Sequence, residues 1–428
     1  MTLYRCEYAW LPDGIRADVG ISVSADGRIA AIGSPAGTAV RLPGLTVPGF
    51  ANAHSHAFHR ALRGRTHADR GTFWTWRDLM YAAADRLDPP SYHRLARAVF
   101  AEMAMAGVSC VGEFHYLHHA PGGRHYSDPN AMGEALIAAA AEAGIRITLL
   151  DTLYLQATVD GQPLAGPQQR FGDGSLDGWA TRVAALRSQP HARIAAAIHS
   201  VRAVPTEALV EFAFDGPVHA HVSEQTIENQ ACLAVHGCTP VELLARHGFL
   251  GQHFTAVHAT HLTASDVDRL SGSTACFCPT TERDLGDGIG PARVLASAGV
   301  RLTLGSDSHA IIDLIEEARA LELNERLAAQ ARGHFTQEEL LRAATVDGHR
   351  SLGWDDAGSL AVGGRADLVA ISLDSVRTAG IERSGVLMAA SAADITHVVV
   401  DGRVVVQDGR HVSVDVAREV KEAVCALF

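Results

Sequence analysis

The chain has 428 residues, of which 47% are hydrophobic and 20% are charged, so it carries ample apolar material for a folded core and disorder is excluded. The formal net charge of −12 and the scattered arginines argue against nucleic acid or an anionic membrane as a partner, and they favour a small molecule. The opening residues lack the pattern of a signal peptide, and no apolar run approaches the roughly 18 residues that span a bilayer, so we expect a cytoplasmic protein.

The predicted elements fall into three stretches. Residues 2–47 consist of short alternating segments with a DG turn, which predict a hairpin-based sheet. Residues 48–355 alternate short apolar runs with longer helical stretches, which predict a parallel sheet with crossover helices. Beyond residue 355 the hairpin pattern returns. We therefore predict an α/β protein with a (β/α)8 TIM-like barrel over residues 48–355, beside a small composite β-sandwich domain built from residues 1–47 and 356–428.

Eight segments of the middle stretch are strand candidates, the number that a closed barrel needs. Helical stretches such as AMGEALIAAAAEAG and TPVELLARHG lie between them and end on a glycine suited to a helix C-cap. The strand candidates are, in chain order, TVPGFANAH, GVSCVGEFH, RITLLDTLY, RIAAAIHS, PVHAHVS, FTAVHATHL, STACFCP and RLTLGSDS.

Histidines and one aspartate lie at or just past the C-terminal ends of these strands, which form the active face of such a barrel. Imidazole nitrogens and a hard oxygen ligand that converge there are typical of a catalytic site for a zinc-type ion. The residues concerned are His54, His56, His115, His199, His221, His258 and Asp307.

Strand periodicity selects the metal ligands among these residues. His54 and His56 share one face of a strand, and two histidines that merely cap the strand are the alternative to metal ligation. His221 lies nearer the barrel mouth than His219, which is predicted to be a core histidine. Asp307 fits a ligand that also accepts a proton. We predict one divalent ion held by His54, His56, His221 and Asp307.

Two further residues are candidates for proton transfer. Glu224 follows the fifth strand and could carry a proton between the attacking water and a leaving nitrogen, with a solvent-facing glutamate at a helix start as the alternative. His258 and His261 have opposite strand parity, and we choose His258 as the base or orienting group beside the metal. His309 is predicted to support the ligands rather than to be one of them.

The cysteines and the single lysine bear on the cofactor. Seven cysteines are dispersed along the chain and are expected to be reduced. The only lysine, Lys421, lies outside the barrel, so the carboxylated lysine that bridges two metals in many barrel hydrolases is excluded. We therefore predict a single divalent ion, with Zn²⁺ favoured over Fe²⁺ or Mn²⁺, which the same ligands accept.

The motifs PGFANAHSH, HVSE, the His258 strand and GSD, in this order, resemble the amidohydrolase superfamily and specifically its single-metal deaminase branch. The resemblance spans nearly the whole chain, including the composite β domain. Longer strings resemble the formimidoylglutamate deiminase family, namely HSHAFHRALRG, TFWTWRDLMY, GEFHYLHHAPGG, HVSEQ, HATHLT and CPTTERDLGDGIGPA.

This resemblance implies a reaction and a set of residue roles. Water would hydrolyse the formimino group of N-formimino-L-glutamate, a compound of histidine breakdown, to give N-formyl-L-glutamate and ammonia. Zinc would lie on the four predicted ligands, with Glu224, His258 and Asp307 handling protons. A dicarboxylate substrate requires guanidinium and phenol donors, and a homodimer is expected. The substrate-binding candidates are His59, Arg77, Tyr116, His199 and Arg202.

Two positions depart from the family pattern, since His59 stands in place of the expected glutamine, and Arg283-Asp284 in place of alanine and asparagine. A related formimino or guanidino dicarboxylic acid therefore stays open as the substrate. A second alternative is an aminohydrolase of an aromatic base or nucleoside, which predicts an apolar, ring-sized pocket. A third is a non-catalytic barrel that holds no metal.

Overall fold

Residues 2–35, 37–67 and 73–428 are described in the computed structural model, and for Phe73 and Trp74 only the backbone is described. Thr72 of the TFWTWRDLMY segment lies outside these residues. The strands form two separate sheets of eight strands each, one built from both ends of the chain and one from its middle. The predicted fold class, a (β/α)8 barrel beside a β domain composed of both terminal segments, is confirmed.

The terminal segments share one continuous sheet. In the order in which they lie side by side, its strands are β16 Arg410–His411, β15 Arg403–Gln407, β14 Ile395–Val400, β13 Leu368–Ile371, β4 Val40–Pro48, β1 Thr2–Leu11, β2 Gly14–Val23 and β3 Ile29–Gly33. In β1, Tyr4 and Cys6 are buried while Arg5 and Glu7 are exposed, the alternation of a strand with one covered face. β4 joins the two ends of the chain because it pairs in parallel with β1 and antiparallel with β13.

The middle of the chain forms the barrel. Its strands are β5 Phe50–Ser55, β6 Val108–His115, β7 Arg146–Leu153, β8 Ala192–Ile198, β9 Val218–Val222, β10 Phe254–His258, β11 Thr274–Phe277 and β12 Arg301–Leu304. Each overlaps one of the eight predicted segments, in the same order, and each pairs in parallel with the next. The barrel closes where Asp307, beyond β12, bridges Ser55 at the end of β5.

The first predicted strand is divided between the two sheets. Its residues Thr46–Pro48 belong to β4, and the chain then enters β5 after Gly49. A Cβ atom at Gly49 would lie 2.5 Å from Ser109 Oγ and 2.7 Å from Asp367 Cβ, so a larger residue does not fit where the chain passes between the sheets.

Helices cover the barrel and follow its strands. Ser91 and Asp88 form a capping box at the start of α2, Pro89–Met105, and Gly144, with φ 75°, ends α3, Ala131–Ala143, as predicted. Among the described residues, no helix combines the length and the hydrophobicity that crossing a membrane requires. The helices are α1 Phe73–Arg86, α2 Pro89–Met105, α3 Ala131–Ala143, α4 Leu176–Ala185, α5 Thr206–Glu211, α6 Thr226–His236, α7 Pro240–Arg246, α8 Ala264–Arg269, α9 Pro279–Leu285, α10 Ala292–Ser297, α11 Leu314–Ala329, α12 Gln337–Ala344, α13 Val346–Ser351 and α14 Val416–Cys425.

A buried ion-pair network ties the barrel to the terminal sheet. Arg146, at the start of β7, is fully buried and donates to Asp367 and to Asp401, the latter at 3.0 Å. Asp367 directly precedes β13, and Asp401 lies between β14 and β15. The Arg146 guanidinium carbon also lies 5.2 Å from the centre of the Trp354 ring. One barrel side chain thus anchors two turns of the other sheet.

Candidate active site

The four predicted metal ligands converge at the mouth of the barrel. Asp307 Oδ1 lies 3.2 Å from His54 Nε2 and 3.3 Å from His56 Nε2. His221 Nε2 lies 3.2 Å from His54 Nε2. His54 lies in β5, His56 follows the end of β5, His221 lies in β9 and Asp307 follows β12, so the barrel strands bring these atoms together.

Backbone carbonyls set the orientation of two of the imidazoles. His56 Nδ1 lies 3.0 Å from the Phe114 carbonyl oxygen, and His221 Nδ1 lies 2.9 Å from the His199 carbonyl oxygen. Because a carbonyl can only accept, the Nδ1–H donates in both cases and Nε2 keeps its lone pair. Burial lowers the pKa of His56 and of His221, which favours the neutral form that a metal requires.

The donor atoms fit a divalent cation. The lone pair of His56 Nε2 faces the Asp307 carboxylate, and two such acceptor atoms repel one another unless a cation lies between them. Burial lowers the pKa of His54 to about 3. Burial alone would raise the pKa of the Asp307 carboxyl, but the neighbouring histidines hold it far below its usual range. Imidazole nitrogen with one carboxylate oxygen is a ligand set that zinc accepts.

Two other histidines extend this cluster. Ligand atoms of His54, His221, His258 and Asp307 all lie within 4.8 Å of one another, and so do those of His56, His59 and Asp307. The assignment of His54, His56, His221 and Asp307 as the ligands stays a prediction, and the geometry puts His258 close enough to contact the same ion or its water.

The predicted proton carriers face one another beside the cluster. Glu224 Oε1 lies 3.8 Å from His258 Nε2, which in turn lies 4.0 Å from Asp307 Oδ2. Burial lowers the pKa of His258, but three neighbouring carboxylates outweigh it and raise that pKa well above its usual value. The carboxylates of Glu224 and Asp307 and the imidazole of His258 surround one space, where they can accept and donate protons as general acid and base catalysis requires.

Sequence reasoning missed Glu282, which contacts His258 from the other side. Glu282 Oε1 lies 3.4 Å from His258 Nδ1 and accepts the Cys278 backbone N–H at 2.8 Å. The Glu282 side chain is buried, so this contact directs the imidazole Nε2 towards Glu224. A signal was present in the sequence, because Glu282 follows β11 in CPTTER just as Glu224 follows β9 in HVSE.

Left-handed backbone conformations cluster at the same end of the barrel. Ser223 has φ 52°, His258 has φ 68°, Asp307 has φ 39° and His309 has φ 59°, although none of them is a glycine. Such conformations cost of order 1–3 kcal/mol each and concentrate at sites where function requires a particular side-chain direction. The strain therefore marks the ends of β9, β10 and β12 as the functional face.

A pocket opens directly above the cluster, and all five predicted substrate-binding residues line it. Sequence reasoning missed further lining residues, because α1 and the segments after β7 reach the pocket only through tertiary packing. The predicted residues are His59, Arg77, Tyr116, His199 and Arg202, and the additional ones include Trp76, Tyr81, Tyr154 and Gln168.

The two departures from the family pattern lie in different places. His59 Nε2 lies 2.9 Å from the Tyr116 hydroxyl, inside the pocket. Arg283 instead pairs with Glu316 at 3.2 Å, and Asp284 pairs with His67 at 3.1 Å. Neither Arg283 nor Asp284 is among the described residues that line the pocket. Of the two departures, only His59 can touch a substrate held there.

Other histidines have structural partners. His219 Nε2 lies 2.9 Å from the Ser351 carbonyl oxygen deep in the barrel, and His261 Nε2 lies 2.7 Å from the Asp287 carbonyl oxygen. His309 Nδ1 lies 2.9 Å from Ser306 Oγ, and its Nε2 lies 3.2 Å from Ser55 Oγ, between the two ligands of β5. His309 thus supports the ligand strand, in line with its predicted place.

His115, expected at the active face, lies at the end of β6 but outside the pocket. Its ring packs 4.8 Å from that of His118, and both lie near Asp151. Asp151 already accepts two hydrogen bonds of 2.8 Å from Arg182. Because that guanidinium neutralises the carboxylate, this second group of histidines and aspartate is a structural network.

Known proteins resemble this chain over most of its length. The model of the amidohydrolase family matches residues 45–405. A formimidoylglutamate deiminase from Pseudomonas aeruginosa is 38% identical, with 96% of each chain covered. The crystal structure of an amidohydrolase from Brucella melitensis superposes with a TM-score of 0.90 at 31% identity over 100% of both chains. An adenosine deaminase from Xanthomonas campestris with bound zinc superposes with a TM-score of 0.85 at 24% identity, over 99% of this chain and 97% of that one.

The family match covers most of the chain and includes both the barrel and the strands around it. The relatives share the full length of the chain and not merely a common barrel. The protein belongs to the amidohydrolase family and is a hydrolase that acts on carbon–nitrogen bonds.

Proposed function

We propose that the protein hydrolyses N-formimino-L-glutamate to N-formyl-L-glutamate and ammonia. The observation that carries this proposal is the composition of the pocket, where two guanidinium groups and three phenols lie beside the cluster of histidines. Guanidinium is the side chain best suited to bind carboxylate, and this substrate has two carboxylates. The Pseudomonas aeruginosa relative, named for this reaction, supports the same substrate class.

The metal that we propose is one zinc ion held by His54, His56, His221 and Asp307. The support is the orientation of the imidazoles by backbone carbonyls, together with the zinc bound in the Xanthomonas campestris structure. Bound zinc supplies a Lewis acid that lowers the pKa of water to about 7, so that a nucleophile is available near neutral pH.

The residues around the cluster supply the proton transfers. Water adds its oxygen to the amidine carbon, the bond from that carbon to the terminal nitrogen breaks, and both protons of the water leave with this nitrogen as ammonia. We assign acceptance of the first proton to Asp307 and delivery of a proton to the leaving nitrogen to Glu224, because both carboxylates line the pocket. Glu282 contacts His258 Nδ1, so that His258 Nε2 faces Glu224 and Asp307 and can hydrogen-bond to the attacking oxygen.

A second candidate substrate is a formimino or guanidino dicarboxylic acid of different length. His59 favours it, because its contact with the Tyr116 hydroxyl engages a phenol that would otherwise be free to bind a carboxylate. The purine class receives no such support, since charged and phenolic side chains line a pocket that would have to be largely apolar.

The test is ammonia release by the purified, zinc-loaded protein, with metal content determined on the same sample. N-formimino-L-glutamate is compared with N-formimino-L-aspartate, N-guanidino-L-glutamate, adenosine and guanine. We expect kcat/KM of about 10⁴ M⁻¹s⁻¹ or more for N-formimino-L-glutamate and turnover at least about 100-fold slower for the purines. Faster turnover of a purine than of every dicarboxylate would overturn the proposal, and a preference for another dicarboxylate would establish the second candidate.

A further inference from the structure

Arg202 lies between two carboxylates of the protein itself, those of Glu224 and Glu228. Its Nη2 is 3.7 Å from Glu224 Oε2, and its Nε is 4.0 Å from Glu228 Oε1. Neither distance is that of a hydrogen bond. Nε donates a long bond of 3.4 Å to Ser200 Oγ. The guanidinium is therefore in long ion pairs with both carboxylates and donates a hydrogen bond to neither of them.

Glu228 is held rigidly in this arrangement. It lies in the first turn of α6, where its Oε2 accepts the Glu224 backbone N–H at 3.2 Å. Its side chain is only 1% exposed, and Oε1 has no hydrogen-bond partner among the described residues. An unpaired oxygen of a buried carboxylate costs free energy unless a positive charge compensates it, and Arg202 is the guanidinium that faces it.

We propose that Glu228 is a positioning residue that keeps Arg202 apart from Glu224, so that Arg202 can bind a substrate carboxylate while Glu224 remains free to carry protons. This inference rests on the proposed function, because it assigns Arg202 to a substrate carboxylate. No feature of Glu228 suggests direct contact with the substrate, since it is not among the described residues that line the pocket.

The physical reason is competition between two carboxylates for one guanidinium. Burial raises the pKa of Glu228 to about 7, so the variants described below are compared at pH 8, where Glu228 is ionised. Arg202 is then attracted by both Glu224 and Glu228 and rests between them. Without the negative charge of Glu228, the attraction to Glu224 alone would close the 3.7 Å gap to a charge-assisted hydrogen bond of about 2.8 Å. Arg202 would then be unavailable to bind the substrate, and one carboxylate oxygen of Glu224 would no longer be free to carry a proton.

A positioning role for Glu228 predicts changes in both KM and kcat, which a merely structural role does not. Loss of Arg202 from the substrate raises KM, and an engaged Glu224 lowers kcat, whereas a loosened fold changes stability and leaves both constants of the folded fraction unchanged. We expect Glu228→Gln to raise KM about tenfold and to lower kcat about tenfold. Glu228→Asp keeps the charge and should recover most of both losses.

The matched control is Glu322→Gln. Glu322 is also a buried helical glutamate that accepts a backbone N–H, that of Phe335 at 2.7 Å, and it also faces an arginine, Arg326. It lies on α11, away from the pocket. Its variant should lose stability and keep wild-type KM and kcat.

A double-variant cycle tests whether Glu228 acts through Arg202. If it does, adding Glu228→Gln to Arg202→Met produces no further rise of KM, because the guanidinium that Glu228 positions is already gone. Rises of KM that multiply would overturn the proposal.

A crystal structure of zinc-loaded Glu228→Gln tests the inference independently of the substrate. The proposal requires the distance from Arg202 Nη2 to Glu224 Oε2 to fall to hydrogen-bond length in this variant, and Glu228→Ala, which also removes the charge, replaces it if the glutamine variant does not fold. Glu228→Asp keeps the charge and should retain the wild-type distance of 3.7 Å. An Arg202 that stays in its wild-type position in the variant without the charge overturns the inference. Absence of ammonia release by the wild-type protein would instead refute the proposed function, and the structural comparison would still decide the role of Glu228.

Discussion

Asp307 and His54 are joined through both their backbones and their side chains. The Asp307 backbone N–H donates to the His54 carbonyl oxygen at 3.0 Å, and Asp307 Oδ1 lies 3.2 Å from His54 Nε2. The His56 backbone N–H in turn donates to the Asp307 carbonyl oxygen at 3.2 Å. The hydrogen bonds that close the barrel therefore also fix the spacing between the predicted ligands at the ends of its first and last strands.

Replacing Asp307 by asparagine should remove the metal and with it the activity. The amide keeps the shape of the side chain but withdraws the negative charge that faces three histidines. We expect zinc affinity to fall by at least about 10- to 100-fold, the range that loss of a supporting group alone produces. Elemental analysis after dialysis measures this loss. Asp266→Asn, at the start of α8, is the control and should retain zinc. A fully metallated Asp307→Asn protein would exclude Asp307 as a ligand.

Arg202→Ala should weaken substrate binding without affecting the metal. A hydrogen bond to a charged group contributes about 1.5–3 kcal/mol, so we expect KM for N-formimino-L-glutamate to rise roughly 10- to 100-fold. Arg202→Lys keeps the charge but not the two-pronged geometry and should lie between the wild type and the alanine variant. Steady-state kinetics with zinc analysis distinguish these cases, and unchanged KM in the alanine variant would remove Arg202 from the substrate site.

Glu113 should make the protein less stable as the pH rises. Its carboxylate accepts Ser55 Oγ–H and the Ala57 N–H, both at 2.6 Å, and burial raises its pKa to about 8. Because this pKa exceeds the unfolded value of about 4.3, the native state binds more protons between these two pH values. The stability that Glu113 contributes is therefore complete below about pH 4.3 and is lost as the pH rises towards 8.

Glu113→Gln cannot ionise and should flatten this dependence by up to about 1.4 kcal/mol per pH unit. Urea unfolding of the metal-free wild type and variant at pH 5, 6.5 and 8 measures the difference between the two proteins. Parallel curves across this range would show that the pKa of Glu113 is not raised in the folded protein.

Arg146→Met should destabilise the whole protein. The substitution leaves Asp367 buried without its main partner, and breaking a buried pair by removing one side costs about 3–5 kcal/mol. Arg246→Met removes the exposed pair with Glu242 and serves as the control, with an expected cost below about 1 kcal/mol. Chemical denaturation gives both values. Equal losses of unfolding free energy in the two variants would contradict a central role for Arg146 between the sheets.

The barrel and its histidines were predictable because they depend on periodicity. Alternation along a strand has a period of two, so it places His219 and His221 on one face and separates His258 from His261. The order of apolar runs and helical stretches likewise predicted eight parallel strands. The same parity, applied to Phe114 and His115, explains why His115 faces away from the pocket: Phe114 packs 4.4 Å from the His221 ring and occupies the inner face.

The surroundings of these residues were not predictable in the same way. Glu228 and Glu282 lie in helices that follow strands, and Tyr154 lies just beyond β7, so their distances from the site depend on how each segment folds back over the barrel. No local pattern encodes that direction. For the same reason the pair of Asp287 and Gln225, which links two of these segments, is visible only in the folded chain.

The acceptors that orient His56 and His221 are main-chain carbonyls, of Phe114 and His199, and not side chains. Neither hydrogen bond requires a particular side chain at positions 114 and 199. A mutation of His199, which lines the pocket, can therefore change the shape of the cavity while the main-chain carbonyl that orients His221 stays in place. Substrate selectivity can therefore change during evolution while the histidines that the reaction needs keep their orientation.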